Sequence, residues 1–410
     1  MSAFSLHVLK IHNFRLLTLA RLCFLMALQA QAVIVGWQVY SLTKSAWYLG
    51  LTGLAEAVPA ILCSLFAGHV VDTGHPHKIY TACLGLLTLN TLLLSLLAGG
   101  YIPLSTPMLL FVLFSGIFIS GLARSFFAPS AFILLSMIVK REDTPSASSW
   151  QTTANQIGFI GGPAIGGILY GGYGAGSWLF PLFMMLCAFV LALFMRITDE
   201  RKKEAQRVSA IKSIGEGWRF LFQNQSLLSL MALDMLGVLF GGAIALLPAF
   251  ADQILHVGAE GLGALRAAPA IGAVFAALYF SLKPMKHITG FRMFLVVAAF
   301  GLCMIGFGLS QTFWFSVFFL TLSGVFDSIN MVIRSTLMQL LTPDEMRGRV
   351  AAVSTMFVIS SNELGAFESG VAATLLGLAP SVVFGGVMTL VVVGATALLC
   401  PKFRTLHVTS

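Results

Sequence analysis

Eight ionisable side chains stand inside apolar stretches of this 410-residue chain: Glu56, Asp234, Asp327, Glu363, Glu368, Arg124, Arg266 and Arg334. A charge at the centre of a membrane-spanning helix costs at least ~2.5–3.5 kcal/mol on insertion scales. Such groups therefore face a bundle interior, a cavity or one another. A carboxylate so placed can exchange a proton with the cavity, its charge state set by burial on one side and a nearby cation on the other. Asp327 and Arg334 lie seven residues apart, two turns along one helix face. That is beyond direct i,i+4 pairing, but it lets both line one cavity. The competing role is a carboxylate–arginine lock between two helices. Glu56, Asp234, Glu363 and Glu368 have no partner nearby in sequence, which favours a cavity or proton role. Arg266 falls towards the outer end of its stretch and is the weaker candidate.

Helices must carry these groups. The chain is 58% hydrophobic and 10% charged, with a mean hydropathy of +0.91. Soluble domains carry roughly 25% charged residues, so this is a polytopic membrane protein. A spanning helix needs about 20 apolar residues. Apolar stretches at 16–40, 47–71, 79–100, 106–135, 148–172, 177–196, 227–251, 261–282, 291–310, 313–341, 350–374 and 379–399 predict twelve spans. The expected fold class is an all-α membrane protein of twelve transmembrane helices in two six-helix halves, 1–197 and 226–410. A polar linker, 198–225, joins them and holds an amphipathic piece around 211–222. Ser115, Gly116 and Phe118 recur 208 residues later as Ser323, Gly324 and Phe326, and Lys78 maps onto Lys286. Two repeated halves are a transporter architecture.

The net charge of +8 reports topology rather than a nucleic-acid partner. Of 24 Lys and Arg, 20 fall in or beside one set of alternating loops and only Lys44 in the other set. By the positive-inside rule both termini are cytoplasmic. The first apolar stretch is too long for a cleavable signal. The six cysteines show no CxxC spacing, so neither a disulfide framework nor a metal site is expected. His69, His75 and His77 lack an i,i+4 pair and read as solvated or gating groups. Phe126, Phe127, Phe240 and Phe250 are candidates for an apolar pocket, and Trp37, Trp47 and Trp178 for interfacial anchors.

The sharpest local pattern is Gly158, Gly162, Pro163, Gly166 and Gly167 in the fifth stretch. Glycines every four residues let a neighbouring backbone approach closely, and Pro163 promotes a kink. A complementary small-residue row, Ala264, Ala268, Gly272 and Ala276, lies in the eighth. The fifth-stretch pattern resembles the antiporter motif of the major facilitator superfamily. Gly68, Asp72 and Lys78 resemble that superfamily's loop signature, with Thr73 in place of its usual basic residue. The stretches 121–129 and 343–350, with Arg124, Pro129, Arg347 and Arg349, resemble the branch of enterobactin exporters and macrolide efflux proteins.

The resemblance runs from about Phe14 to Lys402. It implies a bacterial inner-membrane, multi-pass, proton-coupled exporter of an amphipathic small molecule, a siderophore or hydrophobic drug, acting as a monomer without a cofactor. It also implies a coupling role for Arg124. Asp72, a carboxylate at the cytoplasmic mouth, reads as a gate element that meets the N-terminal dipole of the eleventh span or Arg347 and Arg349. A lipid or lysolipid flippase, a metal transporter and an uncoupled facilitator remain alternatives on the same fold. Enzyme motifs such as HExxH, GxSxG and the phosphate-binding GxxxxGKS/T loop are absent from the sequence.

Overall fold

The computed structural model describes residues 6–197, 218–282, 287–343, 346–404 and 407–409. The first six long helices are α1 (His12–Thr43), α2 (Ala46–Thr73), α3 (Pro76–Leu97), α4 (Thr106–Ile138), α5 (Thr144–Tyr173) and α6 (Leu179–Leu193). The next six are α7 (Gln225–Gly241), α8 (Gly258–Leu282), α9 (Gly290–Leu309), α10 (Phe313–Leu341), α11 (Arg347–Leu376) and α12 (Leu378–Leu399). Their ends follow local chemistry. Proline stands in the first turn of α3, α4 and α5, where its missing N–H has no intrahelical partner to lose. Asn224 accepts from the Leu227 N–H at 3.2 Å and caps α7. Thr289 does the same for Arg292 at the start of α9, also at 3.2 Å. Gly377, at φ 92°, separates α11 from α12 in a conformation that disfavours any side chain.

Ten stretches of the described residues are long and apolar enough to cross a membrane. One of these, Ser146–Leu193, holds both α5 and α6, joined by a 3-10 turn at Gly174–Trp178. The long helix outside the ten is α11, which contains Arg347, Arg349, Glu363 and Glu368. These two features account for the difference from twelve. The seventh span departs from the expected unbroken helix. After Gly241 the chain turns through a 3-10 segment, Ala243–Leu246, and resumes as a short helix, Leu247–Gln253. Gly241, Gly242 and Pro248 make that break, since proline cannot donate back to the preceding turn. Among the described residues one small β element interrupts the helical pattern: β1 (His287–Thr289) pairs antiparallel with β2 (His407–Thr409), Ile288 opposite Val408.

Contacts divide the chain into two units, Met1–Leu42 with Val58–Arg207 and Thr43–Ala57 with Val208–Ser410. The first unit's core joins Leu17 and Phe24 of α1, Leu84 and Leu87 of α3, Phe127 of α4 and Met185 of α6. The second joins Leu230 of α7, Val297 of α9, Ile333 of α10 and Val353 of α11. The internal plans match. In the first unit α3 packs on α4 and α6; in the second α9 packs on α10 and α12. Only the end of the linker is described. There residues 218–223 are helical, Leu221 is fully buried in the second core, and Trp218 lies 5.1 Å from the ring of Phe357.

Candidate functional site

The second unit gathers charge around α10. Asp327, Asn330 and Arg334 follow one another by three and four residues, which places them on one helical face. Facing them, Asp234 projects from α7 and is 6% exposed. Its Oδ1 accepts from the Asn330 amide at 2.6 Å. Its Oδ2 accepts from Arg334 Nη1 in an ion pair whose side chains are only 8% and 14% exposed. The arginine two turns from Asp327 thus pairs across helices with Asp234, 100 residues away in sequence. Asp234, which lacks a partner nearby in sequence, has this one in space. Asp327 lies within electrostatic reach of both partners and makes no hydrogen bond among the described residues. With all three groups ionised, the cluster holds one negative charge in excess.

Asp234, Asp327 and Asn330 border a small cavity lined also by Gly237 and Val238 of α7 and Val297 and Phe300 of α9, and Asp327 is itself exposed. It offers about 10 Å³ to the centre of a water-sized particle, room for one. Asn330 is 6% exposed, and its carbonyl Oδ1 is buried with no hydrogen-bond partner among the described residues. The sequence reading missed Asn330. Its signal is an amide three residues after an aspartate and four before an arginine within an otherwise apolar helix.

The glycine row of α5 belongs to the first unit and packs on α1. A Cβ on Gly158 would stand 2.7 Å from Leu25 Cβ. One on Gly162 would stand 2.7 Å from Gln29 Cβ and 2.9 Å from the Met26 carbonyl, and one on Gly166 2.8 Å from Ala30 Cα. Pro163 lies within the helix, and Gly167 beside it is buried. The small-residue row of α8 is not its complement. Gly272 sits against Thr321 and Val325, and Gly324 against Pro269, so that row seats α8 on α10 within the second unit. Polar groups reinforce the α1–α5 seam. Arg21 Nε donates to Asn155 Oδ1 at 2.8 Å, and Gln151 Nε2 to Thr18 Oγ1 at 3.1 Å. Arg21 counts among the topology-setting cations by its place in the sequence; in the structure it is an interhelical donor.

The remaining candidates are dispersed. Arg124 is partly buried on α4, and Glu56 on α2. Glu363 of α11 lies within electrostatic reach of Arg266 on α8, while Glu368 is partly buried further along α11. Among the gating candidates, Lys78 is exposed at the start of α3, and Gly68 has open space where a Cβ would go. The side chains of Asp72, Arg347 and Arg349 lie outside the described residues, as does that of His69.

Several expectations change. His77 Nε2 meets the Ala192 carbonyl at 2.9 Å, so it donates to α6 and is not a freely solvated group. Trp178 is fully buried instead of interfacial. Phe127 stacks on Tyr80 at 4.7 Å, and Phe250 meets Phe307 at 4.7 Å; both are core residues, not pocket lining.

A family model described as the Major Facilitator Superfamily matches residues 17–366. An enterobactin exporter, EntS, from Citrobacter koseri is 26% identical over 403 residues, covering 96% of this chain and 93% of that one. The EntS protein of Shigella dysenteriae serotype 1 is 25% identical over 367 residues, covering 88% and 86%. Among solved structures, a mutant of the nucleoside transporter NupG aligns with a TM-score of 0.75 at 11% identity, covering 95% of this chain and all of that one. A bacterial homologue of the human lysosomal transporter Spinster, inward-facing and occupied, aligns at 0.73 with 14% identity, covering 95% and 96%. These two likenesses bear on the fold alone.

Proposed function

Because the chain belongs to the Major Facilitator Superfamily, we propose that it is a proton-coupled exporter of an amphipathic small molecule, of siderophore or hydrophobic-drug type. It works in the bacterial inner membrane as a monomer with both termini cytoplasmic, and it alternates access by moving the halves 1–197 and 226–410 about the linker 198–225. The observation that carries this reading is the charge excess at Asp234, Asp327 and Arg334. The excess negative charge draws a proton to the cluster, and Asp327, whose side chain is exposed, is the carboxylate that a proton reaches. The Arg334–Asp234 pair and the Asn330 amide hold one carboxylate as an anion, which leaves Asp327 as the proton carrier.

A substrate cation that pairs with the same carboxylate, or a substrate hydrogen-bond donor that occupies it, excludes the proton, and this exclusion is antiport. The export direction and the siderophore class rest on the EntS relatives. Asp72 with Arg347 and Arg349 is the proposed gate, and Glu56, Glu363, Glu368 and Arg124 line the route. The α5 row keeps its half rigid while it moves.

Proteoliposome transport under an imposed pH gradient tests the proposal. Wild-type protein should accumulate substrate against its gradient when protons flow the other way. Asp327→Asn should abolish this accumulation and retain substrate counterflow. Full gradient-driven export by Asp327→Asn would defeat the assignment, and movement of lipid without any pH response would favour a flippase.

A further inference from the structure

We propose that the end of the first unit where α1, α3 and α6 meet binds the phosphate headgroup of an anionic phospholipid. Three features of this surface carry the inference. The first is a built anchorage. Asn13 of α1 donates from Nδ2 to the Arg196 carbonyl at 2.7 Å, and its Oδ1 accepts from the Arg196 N–H at 3.2 Å. His77 of α3 donates to the Ala192 carbonyl at 2.9 Å, about one turn before Arg196. The starts of α1 and α3 are thereby tied to the end of α6. Two exposed cations, Lys78 beside His77 and the clamped Arg196, are held on the tied segments.

The second is charge without a counter-ion. Neither Lys78 nor Arg196 forms an ion pair among the described residues. The described acids of the first unit, Glu142 and Asp143, lie in the turn between α4 and α5. A phosphate accepts from a guanidinium through two oxygens and from an ammonium as a point charge, so it suits both cations. The third is apolar surface running on from them. α3 packs on α6, with Gly85 against the Phe189 ring and Thr88 donating to the Met185 carbonyl at 3.3 Å. Along this seam Leu86, Leu89 and Leu93 of α3 and Leu186 and Leu193 of α6 are exposed. Lys78 and Leu89 stand eleven residues apart on one face of α3, which puts the cation at the head of the leucine row. A soluble phosphate uses the cations alone, whereas a phospholipid covers the leucines with its acyl chains as well. The lipid is therefore the occupant that the surface fits. The linker begins at residue 198, two beyond Arg196, so a bound headgroup holds the point from which it departs.

The test is thermal unfolding of the purified full-length protein in neutral detergent micelles, at constant ionic strength and constant total phospholipid. Dioleoylphosphatidylglycerol replaces dioleoylphosphatidylcholine in steps. The midpoint should rise saturably with the anionic fraction, and glycerol phosphate in the buffer should not reproduce the rise. Lys78→Gln and Arg196→Gln should each raise the half-saturating fraction by about fivefold, the weight of one cation near an anionic surface. Asn13→Leu keeps both charges and loses the clamp, and it should weaken the response as well. Lys140→Gln removes an exposed cation elsewhere on the same unit and should leave the response unchanged. Equal midpoints in the two lipids overturn the site. So does a loss in Lys140→Gln as large as that in Lys78→Gln, which reports diffuse attraction. Full reproduction by glycerol phosphate also overturns it, since that reports a free-anion site. The readout requires no transport, so it stands or falls apart from proton-coupled export.

Discussion

The two units share a packing plan and differ in what they bury. Under the 208-residue repeat, Asp234, Asp327, Asn330 and Arg334 correspond to Met26, Ile119, Leu122 and Phe126. Every counterpart is apolar. The first unit links α1, α3 and α4 with mostly neutral groups instead: Thr91 donates to Gln31 at 2.9 Å, and Asn90 to Ser120 at 3.2 Å and to the Gly116 carbonyl at 3.0 Å. Since α3 packs on α4 and α6 much as α9 packs on α10 and α12, the architecture holds together without a charge at those four positions. The charges of the second unit are therefore an addition to the scaffold, and their chemistry is what they contribute.

That contrast breaks most easily at the ion pair. Arg334→Ala should cost about 3–5 kcal/mol of unfolding free energy, because it strands the buried Asp234 carboxylate. Asp234→Leu should cost less, since Asp327 remains within reach of Arg334. The double variant Asp234→Leu with Arg334→Met, which leaves only the exposed Asp327 of the three charges, should recover most of the Arg334→Ala loss in reversible unfolding from mixed micelles. It should also be inactive in gradient-driven transport. A double variant as unstable as the worse single one would mean that the charges are structural, and the contrast between the units would collapse.

The next largest effect belongs to the first unit. Gly162→Val should cost about 1–3 kcal/mol or more by overpacking, since its Cβ meets the Met26 carbonyl at 2.9 Å and backbone cannot step aside. Gly68→Ala is the matched control, with nothing within 4 Å of the new methyl. It should be neutral or slightly stabilising, because alanine favours helix over glycine by about 1 kcal/mol. Equal losses from the two variants would show that the α5 row is not a close-approach surface.

The spans were legible in the sequence because apolar length is a one-dimensional signal; the tenth span coincides with α10 at 313–341. The break in the seventh was hidden, since Ala243, Ile244 and Leu246 keep the run apolar while Gly241, Gly242 and Pro248 interrupt its hydrogen bonds. Spacing announced the glycine row but not its partner, because any helix can receive a small-residue face; α1 does so. The Asp234–Arg334 pair lies beyond reading by periodicity, since no helical repeat relates residues 100 apart. Trp178 shows the same limit from the other side. Position near a span end suggests an anchor, whereas local packing of the 3-10 turn buries the ring.

A neutral interhelical bond in the first unit should matter less than either feature. Thr91→Val removes the hydroxyl that donates to Gln31 and conserves volume. Hydrogen bonds between membrane helices average about 0.6 kcal/mol in double-mutant cycles and reach about 1.7. The cycle with Gln31→Leu should fall in that range, with transport intact. A coupling near that of the ion pair would place a second functional centre in the first unit.

The smallest effect comes from an ion pair with the same chemistry as the cluster and the opposite surroundings. Lys44 Nζ meets Asp252 Oδ2 at 2.8 Å, but the side chains are 59% and 33% exposed. Water screens such a pair and two mobile side chains lose entropy in forming it, so exposed pairs contribute roughly 0.2–1 kcal/mol. The Lys44→Ala, Asp252→Ala cycle should give a coupling in that range that fades as salt rises towards 1 M, where the screening length is only about 3 Å. The Arg334–Asp234 coupling should persist at the same salt, because its partners are shielded from the electrolyte. If both couplings fade together, the α7–α10 cluster is reached by bulk ions, and burial is not what gives its charges their strength.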